Sequence, residues 1–89
     1  MRDTPSYDRF MLGPQALSRR ETQVLDLVSS GMTNIEVASQ LGVGVHAVKF
    51  HLASIYRKLG VGNRTEATSL YLRSGAAAAL DTRQAEGAA

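Results

Sequence analysis

The chain of 89 residues contains no cysteine, which removes several kinds of chemistry at once. Disulfide bonds, thiolate metal sites and thiol nucleophiles all require this residue. The sequence also lacks any run of 18 or more consecutive apolar residues, which excludes a transmembrane helix. Asp3, Asp8 and Arg9 stand where a signal peptide needs an apolar segment, so secretion is not expected. We therefore expect a protein of the reducing cytoplasm, with no membrane partner.

Acidic residues are missing from the middle of the chain. None occurs between Glu36 and Glu66, although the net charge of the whole protein is only +2. A stretch of this kind is a plausible binding surface for a polyanion, but a solvated basic surface would explain it equally well. The cationic residues of the interval are Lys49, Arg57, Lys58 and Arg64, accompanied by His46 and His51.

Proline is also scarce, and both prolines, Pro5 and Pro14, lie in residues 1–16, which we interpret as a tail or linker. Residues 76–89 form an alanine-rich C-terminal tail with few large apolar side chains. The expected domain covers 17–75, where no segment alternates between polar and apolar residues in the manner of a strand. The predicted fold class is all-α, a compact four-helix domain containing a helix-turn-helix.

Capping residues and glycines predict the limits of these helices. A Ser, Thr or Asn followed three residues later by Glu forms a capping box, in which each side chain accepts a hydrogen bond from the other residue's amide. This spacing occurs three times: Ser18 with Glu21, Thr33 with Glu36, and Asn63 with Glu66. The third helix is expected to begin near Gly44 or Val45 and to end at Leu59. The predicted terminators of the four helices are Gly31, Gly42, Gly60 and Gly75.

The short turn 42–44 joins the second and third helices in the manner of a helix-turn-helix. At about 100° per residue, one stripe of the helix 45–59 is apolar and faces inward, with Val45 at its edge. The opposite stripe combines cations with an exposed ring, as expected of a helix that enters the major groove of DNA. The inward stripe contains Val48, Leu52, Ile55 and Leu59, and the outward stripe contains His46, Lys49, Phe50, Ala53 and Arg57. His51 lies between the stripes and is interpreted as a structural, hydrogen-bonded histidine.

With these residues in view, the segment from Leu17 to Ala67 resembles the LuxR-type (GerE-like) helix-turn-helix domain. This domain is found in NarL/FixJ-type response regulators and in quorum-sensing activators. The matching motifs are Leu17-Ser18, Arg20-Glu21, Val24-Leu25-x-Leu27, Gly31-x-Thr33-Asn34-x-Glu36-x-Ala38, Val48-Lys49-x-His51, Ile55-x-x-Lys58-Leu59-x-Val61 and Arg64-x-x-Ala67. They cover more than half of the chain at fixed spacing.

The resemblance implies promoter binding by a pair of domains, dimerised through the fourth helix. It implies base contacts from the outward positions His46, Lys49 and Phe50, with Ala53 close by. Backbone contacts are implied for Thr33, Asn34, Lys58, Arg64 and Thr65, to which the outward stripe adds Arg57. The fourth helix, 63–74, has an apolar arc too broad for the core alone, so one side is expected to pack inward and the other to meet a second copy. The residues of that arc are the candidate dimerisation residues Ala67, Thr68, Leu70, Tyr71 and Leu72.

Four positions depart from the family pattern. Gly44 replaces a usual serine cap and Ala47 a usual threonine, which predicts a less firmly capped third helix. Ile35 replaces a frequent lysine and so removes one possible phosphate contact. Ala53 lacks the long polar side chain of some relatives, so base reading is expected to depend on Lys49.

Three classes of function were compared. The leading hypothesis is a sequence-specific transcription factor that binds two half-sites about 10 bp apart. The alternative is a protein-interaction module whose exposed stripe binds a regulator or RNA polymerase. An enzyme is not expected, because the sequence offers no metal-ligand cluster, phosphate-binding glycine loop or carboxylate pair, and no cofactor is expected either.

Residues 1–16 are too short for an upstream receiver or ligand-binding domain, so the chain is either a stand-alone regulator or a piece of a longer one.

Overall fold

A computed structural model describes residues 16–75 of the chain. Within that range the chain forms four α-helices and no strand, which confirms the predicted all-α class. The helices are α1 (Arg19–Ser29), α2 (Asn34–Leu41), α3 (Val45–Leu59) and α4 (Arg64–Ser74). The predicted tails lie outside the described residues, apart from residue 16.

The capping residues set the starts of α1 and α2 as predicted. Ser18 and Glu21 form a complete capping box, with bonds of 2.8 and 3.0 Å between each amide and the other side chain. Thr33 and Glu36 form the second, with bonds of 2.9 and 3.2 Å. Each box satisfies backbone N–H groups that a helix start otherwise leaves without partners.

The third predicted box is only half formed. The Asn63 side chain accepts a hydrogen bond from the Glu66 amide at 2.9 Å, so it caps α4 as expected. The Glu66 carboxylate, however, accepts from the Gly62 amide at 2.7 Å and not from the amide of the cap residue. The prediction was wrong on this bond because the chain before α4 brings a different N–H group to the carboxylate.

The turn between α2 and α3 is tight because Gly42 adopts a left-handed conformation with φ of 70°. This geometry lets the Val43 amide donate to the Ala38 carbonyl at 3.0 Å, which closes the end of α2. The helix-turn-helix predicted from the glycine spacing is therefore present. As predicted from the departure at Gly44, α3 begins without a side-chain cap.

One hydrophobic core holds the four helices together. α1 packs against α3 and α4, and α2 packs mainly against α3. The predicted inward stripe of α3 is buried, with Val45 only partly so. The buried apolar residues are Leu17, Val24, Leu25, Val28, Val37, Ala38, Val48, Leu52, Ile55, Leu59, Ala67 and Tyr71. This packing leaves the opposite side of α3 without a neighbour among the described helices.

Candidate nucleic-acid interface

The outward stripe of α3 forms one continuous exposed patch. His46, Lys49, Phe50 and Ala53 are all exposed, as predicted. Their spacing of three, four and seven residues places them on neighbouring turns of one helix face. Arg57 extends the patch by one further turn and is also exposed. The patch therefore presents an ammonium, an imidazole, a phenyl ring and a guanidinium within a single face.

Phe50 is the most exposed large apolar side chain among the described residues, with 74% of its surface accessible. Its ring meets the half-buried His51 ring edge-on, with 6.1 Å between the ring centroids and 68° between the planes. Edge-to-face packing of this kind favours one orientation of the two rings. The contact thus orients Phe50 from the side while leaving its outer face open.

A shallow groove runs from the start of α2 to the outward face of α3. Its walls include Thr33 and Asn34 at the α2 N-terminus and Lys49 on α3. Ile35 stands in the same groove and is 70% exposed. The groove brings together the candidate base-contacting lysine and three of the candidate backbone-contacting residues, Thr33, Asn34 and Arg64.

Arg64 closes the far side of this groove and is bound within the domain. Its Nη1 donates to the Asn34 side-chain oxygen at 3.0 Å, and its Nη2 donates to the Met32 carbonyl. A guanidinium carries five N–H groups, so these two bonds leave donors free for another acceptor. Arg64 therefore links the start of α4 to the start of α2, a connection that the sequence did not predict.

Lys58 also has an internal partner. Its Nζ lies 2.8 Å from Oε1 of Glu21, and Glu21 itself is only 6% exposed. The Ser54 hydroxyl donates to the other carboxylate oxygen of Glu21 at 2.6 Å. A single carboxylate of α1 is thus bonded to two residues of α3 that lie four positions apart.

The charge of Glu21 is strongly stabilised by these contacts. Burial alone would raise the pKa of the carboxyl group. The hydrogen bonds from Lys58, Ser54 and the Ser18 amide, together with the Lys58 charge, outweigh burial and lower the pKa from 4.5 to about 2. Sequence reasoning assigned Glu21 to a capping box only. The signal that could have revealed more is its position on the same inward stripe of α1 as Val24, Leu25 and Val28.

The fourth helix shows where the sequence prediction needs correction. Ala67 and Tyr71 were expected to take part in dimerisation, but both are fully buried in the core of the single domain. The Tyr71 hydroxyl donates to Oδ1 of Asp26 at 3.1 Å, which anchors α4 to α1. The prediction was wrong for these two residues because both lie on the side of α4 that packs into the core. The Tyr71 ring can turn inward because its hydroxyl finds a polar partner inside the domain.

The other three candidates divide between two sides of α4. Leu70 is half-buried beside Leu59 and Val61. Leu72 is 55% exposed, and Thr68 lies on its side of the helix, one turn away. Since Leu70 and Leu72 point about 160° apart on a helix, one flat contact surface cannot include both. Among the five candidates, Leu72 is therefore the one that α4 leaves largely exposed, with the half-buried Thr68 beside it.

Two negative findings apply to residues 16–75 of the chain. No group of three or more His, Asp or Glu side chains in this range is arranged to hold a metal ion. No helix in the described part of the chain is long and apolar enough to span a membrane.

Comparisons with known proteins agree with this architecture. A family model described as "Bacterial regulatory proteins, luxR family" matches residues 15–71. The HTH-type transcriptional activator RamA of Corynebacterium glutamicum is 47% identical over 60 residues, which is 67% of this chain and 21% of that protein. The probable transcriptional regulatory protein SgaR of Hyphomicrobium methylovorum is 38% identical over 58 residues, covering 65% and 28% of the two chains. The HTH-type transcriptional regulator MalT of Serratia proteamaculans is 45% identical over 73 residues, covering 73% and 8%.

The chain spans less than a third of the length of each of these relatives. The matched part includes all four helices except the last three residues of α4.

Proposed function

This chain belongs to the luxR family of bacterial regulatory proteins, and we propose that it regulates transcription by binding double-stranded promoter DNA. Residues 17–75 form the DNA-binding domain in this proposal. The single observation that carries it is the exposed patch of α3, which lies in a stretch without acidic residues from Val37 to Thr65. Such a stretch can approach phosphates without repulsion from carboxylates. The names of the three relatives, each a transcriptional regulator, support the same function.

In the proposed complex, α3 lies in the major groove. A helix fits this groove, and its outward side chains then reach the base edges. Lys49 is the principal base reader, because an ammonium can donate to the acceptors O6 and N7 of guanine. His46, Phe50 and Ala53 complete the surface that faces the bases.

Backbone contacts come from the edges of this surface. Thr33 and Asn34 lie at the N-terminus of α2, where the positive end of the helix dipole favours a phosphate oxygen. Arg57 and Thr65 are exposed on α3 and α4, and Arg64 has donors remaining beyond its internal bonds. Lys58 has two further N–H donors beside its bond to Glu21, so any phosphate contact it makes is secondary to that ion pair. These contacts fix the orientation of the domain but carry no sequence information.

The bound form is a homodimer that pairs through the exposed side of α4. The support is Leu72, a large apolar side chain that is 55% exposed next to the half-buried Thr68. A two-fold axis at this helix would place two copies of α3 in successive major grooves, with half-sites about 10 bp apart.

The test is a titration of the chain against a library of random double-stranded DNA at two salt concentrations, followed by sequencing of the bound fraction. The proposal expects a two-fold site with half-sites about 10 bp apart and binding that weakens steeply with salt, because phosphate contacts release counterions. Binding without any sequence preference would contradict sequence-specific regulation. Binding to single half-sites would contradict the dimer but not DNA recognition.

A second candidate function is a protein-interaction module that binds RNA polymerase or another regulator. The specific observation in its favour is the apolar content of the patch, since both Phe50 and Ile35 are largely exposed. The absence of acidic residues from 37–65 disfavours it. The salt dependence separates the two candidates, because an apolar protein contact would change little with salt.

A further inference from the structure

We propose that Phe50 recognises the 5-methyl group of a pyrimidine in the major groove, so that one base pair of each half-site is read by apolar contact. This inference rests on the DNA binding proposed above and adds the chemistry by which one base pair of the DNA site is selected.

The exposure of Phe50 is the first observation behind this proposal. A phenyl ring that is 74% accessible leaves most of its apolar surface in water, and the domain gains little stability from it. Phe50 is not a remnant of the core, because the inward stripe of α3 is already complete and buried. Its ring is therefore available to a ligand.

The chemistry of the ring selects the kind of ligand group. A phenyl ring has no hydrogen-bond donor or acceptor of the kind that reads the polar edges of the bases. The apolar feature of the major groove is the methyl group at C5 of thymine, and 5-methylcytosine carries the same group. A carbon–carbon contact with this methyl is what an exposed phenyl ring can offer.

The surroundings of Phe50 allow the approach that such a contact needs. Ala53 follows three positions later on the same face, and its small side chain leaves room for a base edge beside the ring. Lys49 precedes it and can bind an adjacent guanine or phosphate. The ring of His51 packs against Phe50 from the side, with 6.1 Å between the ring centroids. This contact restricts the rotation of the Phe50 side chain, so that less side-chain entropy is lost on binding.

A protein partner is the competing occupant for an exposed phenylalanine. Charge favours DNA, because no carboxylate occurs in the segment 37–65 that carries Phe50, whereas Lys49 and Arg57 lie on the same face. Cations beside an apolar contact suit DNA, because the bases of the major groove are flanked by negatively charged phosphates.

The experiment replaces single thymines by deoxyuridine in the duplex enriched from the random library. Uracil pairs like thymine and lacks only the methyl group. Wild-type chain is expected to bind about fourfold more weakly when one particular thymine in one half-site is replaced, which corresponds to about 0.8 kcal/mol for one buried methyl group. The variant Phe50→Ala is expected to bind the thymine and uracil duplexes equally.

The matched control is Ile35→Ala, which removes another largely exposed apolar side chain, one that lines the groove between α2 and α3. This variant should keep the wild-type discrimination between thymine and uracil. A further duplex carries 5-methylcytosine in place of that thymine, with guanine opposite. Equal gains from thymine and 5-methylcytosine would show that either base can supply the methyl, and a gain from thymine alone would identify thymine as the source.

Two results would overturn the inference and leave DNA recognition standing. One is specific binding with the same affinity for thymine and uracil at every position. The other is a Phe50→Ala variant that keeps the discrimination. Failure of the wild-type chain to select any sequence would instead refute the proposed function itself, and salt-insensitive capture of a protein through Phe50 would favour the competing occupant.

Discussion

Replacement of Glu21 by glutamine is expected to remove a large part of the stability of the domain at neutral pH. The amide has nearly the same shape as the carboxylate, but it carries no charge to pair with Lys58, and its one oxygen can accept at only one of the two positions that bind Ser54 and Lys58. The pKa of Glu21 falls from 4.5 to about 2 on folding. At about 1.4 kcal/mol for each pKa unit, the charged carboxylate contributes about 3 kcal/mol to the free energy of unfolding at pH 7.

The pH dependence gives a sharper test than the size of the effect. Because folding lowers this pKa, the contribution is fully present above pH 4.5 and is lost as the pH falls toward 2. The difference in unfolding free energy between wild type and Glu21→Gln should therefore shrink from about 3 kcal/mol at pH 7 to about 1.4 at pH 3 and below about 0.5 at pH 2. Urea unfolding followed by circular dichroism at each pH measures this difference.

The matched control is Glu36→Gln. Glu36 occupies the same capping-box position on α2 but is exposed, and its side chain bonds within residues 16–75 to the Thr33 amide alone. Its replacement should cost less than about 1 kcal/mol, because only the capping interaction changes. A Glu21→Gln deficit that stays constant between pH 7 and pH 3, or that equals the Glu36→Gln deficit, would refute the account of Glu21 as a buried, charge-stabilised carboxylate.

Three other substitutions test separate parts of the description. Gly44→Ser should raise the unfolding free energy by about 0.5–1 kcal/mol, since a serine can cap α3 and restricts the unfolded chain. A Cβ at position 44 would meet no atom within 4 Å. Unchanged stability in a thermal melt would contradict the capping argument. Lys49→Ala should weaken binding to the enriched duplex by at least about fivefold with an unaltered circular dichroism spectrum, and full affinity in a fluorescence anisotropy titration would exclude Lys49 as the base reader. Leu72→Asp should leave the domain folded, because the side chain is 55% exposed, but lower the affinity for a two-half-site duplex; a variant that still sediments as a dimer would rule out this face of α4.

The helix limits were predictable from the sequence because they depend on neighbouring residues. A cap and its Glu partner are three residues apart, so the pattern of Ser18, Thr33 and Asn63 contains the information needed to place three helix starts. The division of α3 into a buried and an exposed stripe was predictable for the same reason, since one helical period relates its members.

The contacts that orient the helices were not predictable, because they join residues far apart in sequence. Glu21 bonds to residues 33 and 37 positions away, and the Tyr71 hydroxyl reaches Asp26 across 45 positions. A tyrosine on a broad apolar arc can turn toward the core or toward a partner. The choice depends on where an acceptor for the hydroxyl stands, which periodicity does not reveal.

Because of the two bonds from α3 to Glu21, the residues that position this helix differ from the residues that it exposes. The buried apolar stripe of α3 determines which side of the helix faces the core, and the carboxylate that binds Ser54 and Lys58 restricts its rotation and translation further. These two residues set the direction in which the exposed patch points, and neither belongs to the patch. Residues at positions 46, 49, 50 and 53 can therefore be exchanged without altering the pose of the helix. The domain is for this reason a suitable scaffold for evolving or engineering new operator preferences on a constant frame.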